Sequence, residues 1–319
     1  MREITYTQAT LEALQEEFRR DAKTVHLAAD IPTALRNEFG DTRVKGTPIS
    51  ESGFVGAAIG LAGSGFRVVV NIRRATFMFV ATDQIVNQAA KITYMFGGQA
   101  RFPIVYRIQV GGGGGMAAQH TISPYSMFMN VPGIKIILPA TPTDAKGLLK
   151  TAIRDNNPVL FCEHRALNEL KEAVPEEEYT LPFGQAVIRR EGSDLTVVAL
   201  SRWVHETLAV AEQLAQEGIS IEVIDPRTLV PLDKKTIRSS VAKTGRLIVV
   251  DEACQTCSAA AEIITAITED PQTFQSLRTA PKRVCAHDVP IPFSPPLERY
   301  VLPDKEKIIA AIRAVLDQK

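Results

Sequence analysis

The sequence has no excess of either charge. Its 36 Lys+Arg balance 36 Asp+Glu over 319 residues, so nothing electrostatic draws the whole chain to nucleic acid or an anionic membrane. It has no long apolar run either: the stretch GFVGAAIGLAGSGF, residues 53–66, is too short and too glycine-rich to span a bilayer. The opening MREITYTQATLEALQEEF is charged throughout and lacks the apolar segment of a signal peptide, so the expected location is cytoplasmic. Cysteine is scarce. Cys162 and Cys285 sit in strand-like apolar runs and read as packing residues. Cys254 and Cys257 form a single C-x-x-C, and neither the second pair nor the histidine pair that a zinc site needs accompanies it, which argues against a metal role. They read as small residues at a tight turn, a redox or metal role being the alternative. Phosphate-loop signatures are also missing. In QVGGGGGMAAQH, residues 109–120, the glycine run ends at Met116, where a Walker loop continues Gly-Lys-Ser/Thr and a dinucleotide fingerprint needs glycine.

What is present is alternation. Apolar content of 45% and charged content of 23% are those of a soluble globular protein. YTQATLEALQEEF places Leu11, Leu14 and Phe18 on one helix face, TVHLAAD is a short strand, and SESGFVGAAIGLAGSG is a small-residue helix closed by glycine. RVVVNI, FPIVYRIQV, GIKIILPA and PVLFC read as strands buried on both faces, and TDQIVNQAAKITYMF as an amphipathic helix. Thr141 and Pro142 mark a helix start. An acidic, proline-bearing stretch from about Arg165 to Gly192 breaks the rhythm and reads as a linker, after which a second strand–helix series begins. The expected class is α/β with two domains, 1–182 and 183–319, each a largely parallel sheet flanked by helices.

Three features invite chemistry. His120 follows the glycine run at the carboxyl end of a strand, where open α/β sheets place their ligands. It is a candidate for proton transfer or substrate binding. Glu51 opens a helix made almost wholly of apolar and small residues. It either interacts with the helix dipole or is a partly buried carboxyl that shares a proton with a ligand. Arg73 and Arg74 end a buried strand, where they could hold a substrate carboxylate or phosphate, or pair with acids across a subunit interface. Of the other histidines, His26 reads as core, His205 as solvent-facing, and His164 and His287 lie at strand ends.

Six collinear segments, PISESGFVGAAIGLA, DQIVNQAAK, GGGGGMAAQH, DAKGLLKTAIRDNNPVLFCEH, VIDPRTLVPLD and DVPIPFSPPLE, resemble the beta subunit of thiamine-diphosphate-dependent 2-oxo acid dehydrogenases, the pyruvate, acetoin and branched-chain enzymes of the transketolase superfamily. The resemblance implies a transketolase-like pyrimidine-binding domain followed by a transketolase C-terminal domain. It implies that Glu51 hydrogen-bonds the aminopyrimidine of thiamine diphosphate, that Phe77 stacks on that ring, and that His120 stands at the active-site mouth. A 2-oxo acid would lose CO2 and the acyl/enamine unit would pass on, to lipoamide in the dehydrogenase complexes. Backbone oxygens of Ile104, Ala152, Asp155 and Asn157 match those that hold a monovalent cation such as K+ in some members. The Gly-Asp-Gly motif that binds Mg2+ and the diphosphate is absent, which implies that an alpha subunit supplies it within an α2β2 heterotetramer, with a lipoyl acyltransferase core as a further partner in the dehydrogenase complexes. Several positions depart from the pyruvate-type pattern: Asn71 for Glu, Arg73 and Arg74 for neutral residues, Val80 for a polar one, Thr121 for Ser, and Cys254 and Cys257 for small residues. The departures suit an acyloin-forming carboligase or split transketolase-like subunit as the alternative.

Overall fold

The computed structural model describes residues 1–317 and divides into two compact units. The first comprises Met1–Val110 and Met127–Phe183, and the second comprises Gly111–Ser126 together with the chain from Gly184 onward.

In the first unit the chain runs β1 (Arg2–Thr5), α1 (Tyr6–Arg20), β2 (Thr24–Ala28), α2 (Thr33–Arg43), β3 (Val44–Gly46), α3 (Glu51–Gly63), β4 (Arg67–Arg74), α4 (Ala90–Met95) and β5 (Ile104–Val110). After α5 (Tyr125–Met129) come β6 (Lys135–Ile137), α6 (Pro142–Arg154), β7 (Val159–His164) and β8 (Lys171–Val174). Six strands form a parallel sheet in the order β6-β7-β5-β4-β2-β3, and β1 pairs antiparallel with β8. Uninterrupted Val and Ile runs suit strands covered on both faces: Val68, Val69 and Val70 are all buried. On one face α1 and α6 pack Leu14, Phe18, Leu148 and Ile153 against Val69, Val105 and Phe161. Both starts are capped, that of α6 as the sequence predicts. Thr5 and Gln8 form a capping box, and Thr141 accepts the Asp144 amide with Pro142 in the first turn.

Two local features differ from the sequence expectation. The helix expected across residues 82–96 is instead a π-helical turn, Asp83–Ala89, running into α4, which puts Ile85 and Ala89 in the core. Helix α2 and the β1–β8 ribbon carry no strong periodic signal and were not anticipated.

The second unit contains β9 (Val187–Arg190), β10 (Leu195–Ala199), α7 (Trp203–Ala215), β11 (Ile221–Asp225), β12 (Thr228–Val230), α8 (Lys234–Thr244), β13 (Leu247–Cys254), α9 (Ala259–Thr268), α10 (Pro271–Ser276), β14 (Lys282–Ala286), α11 (Pro295–Val301) and α12 (Lys305–Leu316). Its sheet has the order β14-β13-β10-β11-β9, parallel except for the antiparallel edge strand β9. No helix among the described residues is long and apolar enough to cross a membrane.

Candidate active site

Glu51 lies in the first turn of α3, half-buried, and has no hydrogen-bond or ion-pair partner among the described residues. The next residue ties this helix end to its neighbour. Ser52 Oγ donates to the Val80 carbonyl at 2.5 Å, in the 3-10 helix Ala75–Ala81 that carries half-buried Phe77. The structure therefore brings the elements of Glu51 and Phe77 together in the first unit. A carboxyl at a helix amino end without a partner among the described residues is available to a ligand donor, and the helix tied to it carries an aromatic ring.

The two arginines at the end of β4 separate. Asn71 Oδ1 accepts the Arg73 amide at 3.0 Å, the β4–β5 register slips between these residues, and Arg73 takes the left-handed φ of 67°. Its side chain pairs with Asp30 of the same chain at 2.9 Å. Arg74 is half-buried and has no carboxylate partner among the described residues. Burial, and then the like charges of Arg165 and Arg73, lower its pKa. Arg165, just past β7, is likewise without a carboxylate partner among the described residues.

The glycine run and His120 belong to the second unit. By composition the run is a mobile exit from a strand; in the structure its amides are taken. Gly111, Gly113 and Gly115 adopt positive φ, alternating along the run, so that successive N–H groups turn toward one side. They meet a carboxylate of the chain itself. Gly113 donates to Glu298 Oε1 at 2.9 Å, and Gly114 and Gly115 donate to Oε2 at 3.1 and 2.9 Å. Gly112 donates to Glu252 Oε1, whose Oε2 accepts the Trp203 indole N–H at 3.1 Å. The run is thus an anion nest filled by Glu298, which explains why it needs no phosphate-loop ending. A Cβ on Gly112 would lie 2.7 Å from Leu302 Cδ1. Beyond the nest, the His120 amide donates to the Ala117 carbonyl at 3.3 Å, and Gly111 donates to Ile122 O at 3.4 Å, closing the loop at its base. The Tyr125 hydroxyl donates to Asp251, which also accepts the amides of Ala253 and Ala260. Burial, helped by the neighbouring Glu252 charge, holds the Asp251 carboxyl above its ordinary pKa. Glu252, Glu298 and Asp251 were not singled out from the sequence.

The remaining candidates fall as follows. Ile104 opens β5, Ala152 ends α6, and Asp155 and Asn157 lie in the turn before β7. The Phe102 amide donates to Asn156 O at 3.1 Å, bringing these segments together, and the Asp155 carbonyl accepts Arg67 Nη1 at 3.0 Å. All four cysteines are free; Cys162 and Cys285 are buried, Cys254 and Cys257 exposed. Partial burial and then the charge of Asp288 raise the Cys254 thiol pKa, opposite to what a reactive thiol requires. No group of three metal-ligating side chains occurs among the described residues. His26 is fully buried, His164 Nδ1 accepts the Ala166 amide at 3.1 Å, and His205 is half-buried, not solvent-facing as expected.

Comparison with known proteins decides the family. The model for the transketolase pyrimidine-binding domain matches residues 2–171, and that for the transketolase C-terminal domain matches 184–308. The chain belongs to the transketolase-like beta subunits of the 2-oxo acid dehydrogenases. It is 42% identical to subunit beta of the acetoin:2,6-dichlorophenolindophenol oxidoreductase of Cupriavidus necator, over 99% of this chain and 98% of the relative. It is 39% identical to the pyruvate dehydrogenase E1 component subunit beta of Bacillus subtilis, over 99% and 100%. Identity to the 2-oxoisovalerate dehydrogenase subunit beta of the same organism is 38%, over 98% and 99%. A solved split-gene transketolase, an inactive beta4 tetramer, covers 99% of both chains with a TM-score of 0.80 at 22% identity, which shows the shared fold. The transketolase-like beta subunit described here therefore has both family domains, each with the parallel-rich sheet that the sequence implied.

Proposed function

We propose that this beta subunit works in an α2β2 enzyme that decarboxylates a 2-oxo acid with thiamine diphosphate and transfers the acyl unit. Glu51 is the observation that carries the reading: a half-buried carboxyl without a partner among the described residues, tied through Ser52 to the helix of Phe77. When bound, thiamine diphosphate supplies the carbon nucleophile and the electron sink for loss of CO2. Glu51 holds and exchanges a proton at the aminopyrimidine edge, and Phe77 supports that ring by stacking. His120 moves a proton or guides the acyl acceptor from its anchored loop. The diphosphate and Mg2+ are assigned to the alpha subunit because no Gly-Asp-Gly motif occurs here. The backbone oxygens of Ile104, Ala152, Asp155 and Asn157 are the proposed K+ ligands, the functional division falls at 182/183, and the enzyme is placed in the cytoplasm. The full-length relatedness to dehydrogenase subunits favours lipoamide on an acyltransferase core as acceptor. Unpartnered Arg74 favours a second reading, a carboligase with an anionic donor or acceptor.

The test is co-expression with an alpha chain and product analysis on pyruvate, 2-oxoisovalerate and acetoin. The tetramer releases CO2 from at least one of the two 2-oxo acids, the beta chain alone from neither, and turnover of acetoin alone favours the carboligase reading. Glu51→Gln lowers kcat by about 10²-fold or more with the tetramer intact. Turnover by the isolated chain, or a fully active E51Q tetramer, overturns the reading.

A further inference from the structure

We propose that Glu298 and Glu252 are positioning residues that set His120 by clamping the glycine run through its backbone amides. The inference rests on the reading that His120 serves the reaction. Three facts of geometry support it. First, one carboxylate, only 3% exposed, receives three consecutive amides, and a second, 6% exposed, receives the amide before them. Charge-assisted bonds of this kind are about twice as strong as neutral ones, and four in succession leave the run no free amide with which to drift. Second, the carboxylates are themselves fixed. Glu252 sits in β13 with its other oxygen on Trp203, and Glu298 sits in α11, whose C-cap residue Leu302 fills the space where a Gly112 Cβ would be. Third, the path from the nest to His120 is short and braced: Ala117 takes a left-handed φ of 60°, its carbonyl accepts the His120 amide and the Thr121 hydroxyl, and Thr121 is buried. A run of five glycines gains stiffness only from outside, because its own backbone entropy opposes any single conformation. The nest therefore supplies the order that the residue type withholds, and His120 inherits it.

Hydrogen exchange and a double-mutant cycle on the assembled α2β2 enzyme test this. In the Glu298→Gln tetramer the amides of residues 112–115 exchange at least about ten-fold faster, while peptides from β10 and β13 exchange as in the wild type. The acyl-transfer rate on the best substrate of the panel falls about 10–100-fold. In the His120→Ala background the same E298Q change costs nothing further, because the group it positions is gone. Glu252→Gln gives the same pattern, with its exchange effect at Gly112. Unchanged exchange across residues 112–115 overturns the clamp. An equal E298Q loss with and without His120 shows a merely structural role and overturns the positioning. A fully active H120A tetramer, with the exchange effect present, overturns the reading of His120 while leaving the clamp standing.

Discussion

His26 ties the stability of the first unit to pH. It lies in β2, fully buried, and neither ring nitrogen has a hydrogen-bond partner among the described residues. Burial, and then the nearby Arg107 cation, push its pKa from 6.5 down to about 3. The folded chain therefore holds His26 neutral while the unfolded chain takes up a proton below pH 6.5. A depressed pKa of this kind leaves stability fully present above 6.5 and removes it as pH falls, until the folded value is reached. The slope is about 1.4 kcal/mol per pH unit, so between pH 7 and pH 5 His26 alone costs about 2 kcal/mol. For a unit of this size that is roughly 4–8 °C in Tm. Replacing His26 by Leu, close in volume and without unpaired nitrogens, is near neutral at pH 7, within about 1 kcal/mol. Scanning calorimetry of both proteins at pH 7, 6 and 5 should show a Tm gap that widens in favour of H26L by roughly 4–8 °C across the range. Parallel wild-type and variant curves would refute the reasoning, because they would mean that His26 is either protonated or hydrogen-bonded in the folded state.

Glu16 bridges two buried lysines, Lys146 at 2.7 Å and Lys150 at 2.6 Å. Lys146 keeps Glu12 at 3.3 Å if Glu16 is lost, but Lys150, fully buried, keeps among the described residues only exposed Glu178 at 4.0 Å. Glu16→Ala is expected to cost about 3–5 kcal/mol in urea unfolding, and Glu178→Ala less than about 1 kcal/mol. If Arg74 holds an anionic group of the substrate, as the second reading has it, Arg74→Gln should raise KM about ten-fold for a donor with a second carboxylate, such as 2-oxoglutarate, and leave that for pyruvate unchanged. Unchanged KM values for every donor would remove the anion-binding role.

Much of the fold was legible because it is written in short-range patterns. The Val68–Val70 run and the Thr141–Pro142 start each announce an element within a few residues. Glu51 and His120 stood out for the same reason, as polar residues in apolar or glycine-rich surroundings. What was not legible depends on partners far along the chain. Glu298 reads as one acid in a proline-rich stretch, and only the fold brings it to amides 183–185 residues earlier. Asp30 as the partner of Arg73 follows from a bulge that Asn71 creates, a shift too local for periodicity and too specific for composition. The composition of the glycine run suggests mobility, and nothing in it announces the acceptors that its amides meet.

The distance between the nest and its carboxylate also has a meaning in time. At about 5–20 residues per second, the ribosome adds Glu298 roughly 10–40 s after Gly113. Strands β2 to β5 are made before that interval and β6 to β8 early in it, yet until Glu298 is added the loop that carries His120 lacks the carboxylate that receives three of its amides. The loop can reach its final form only once Glu298 has been added, so α11 completes a segment made 185 residues earlier.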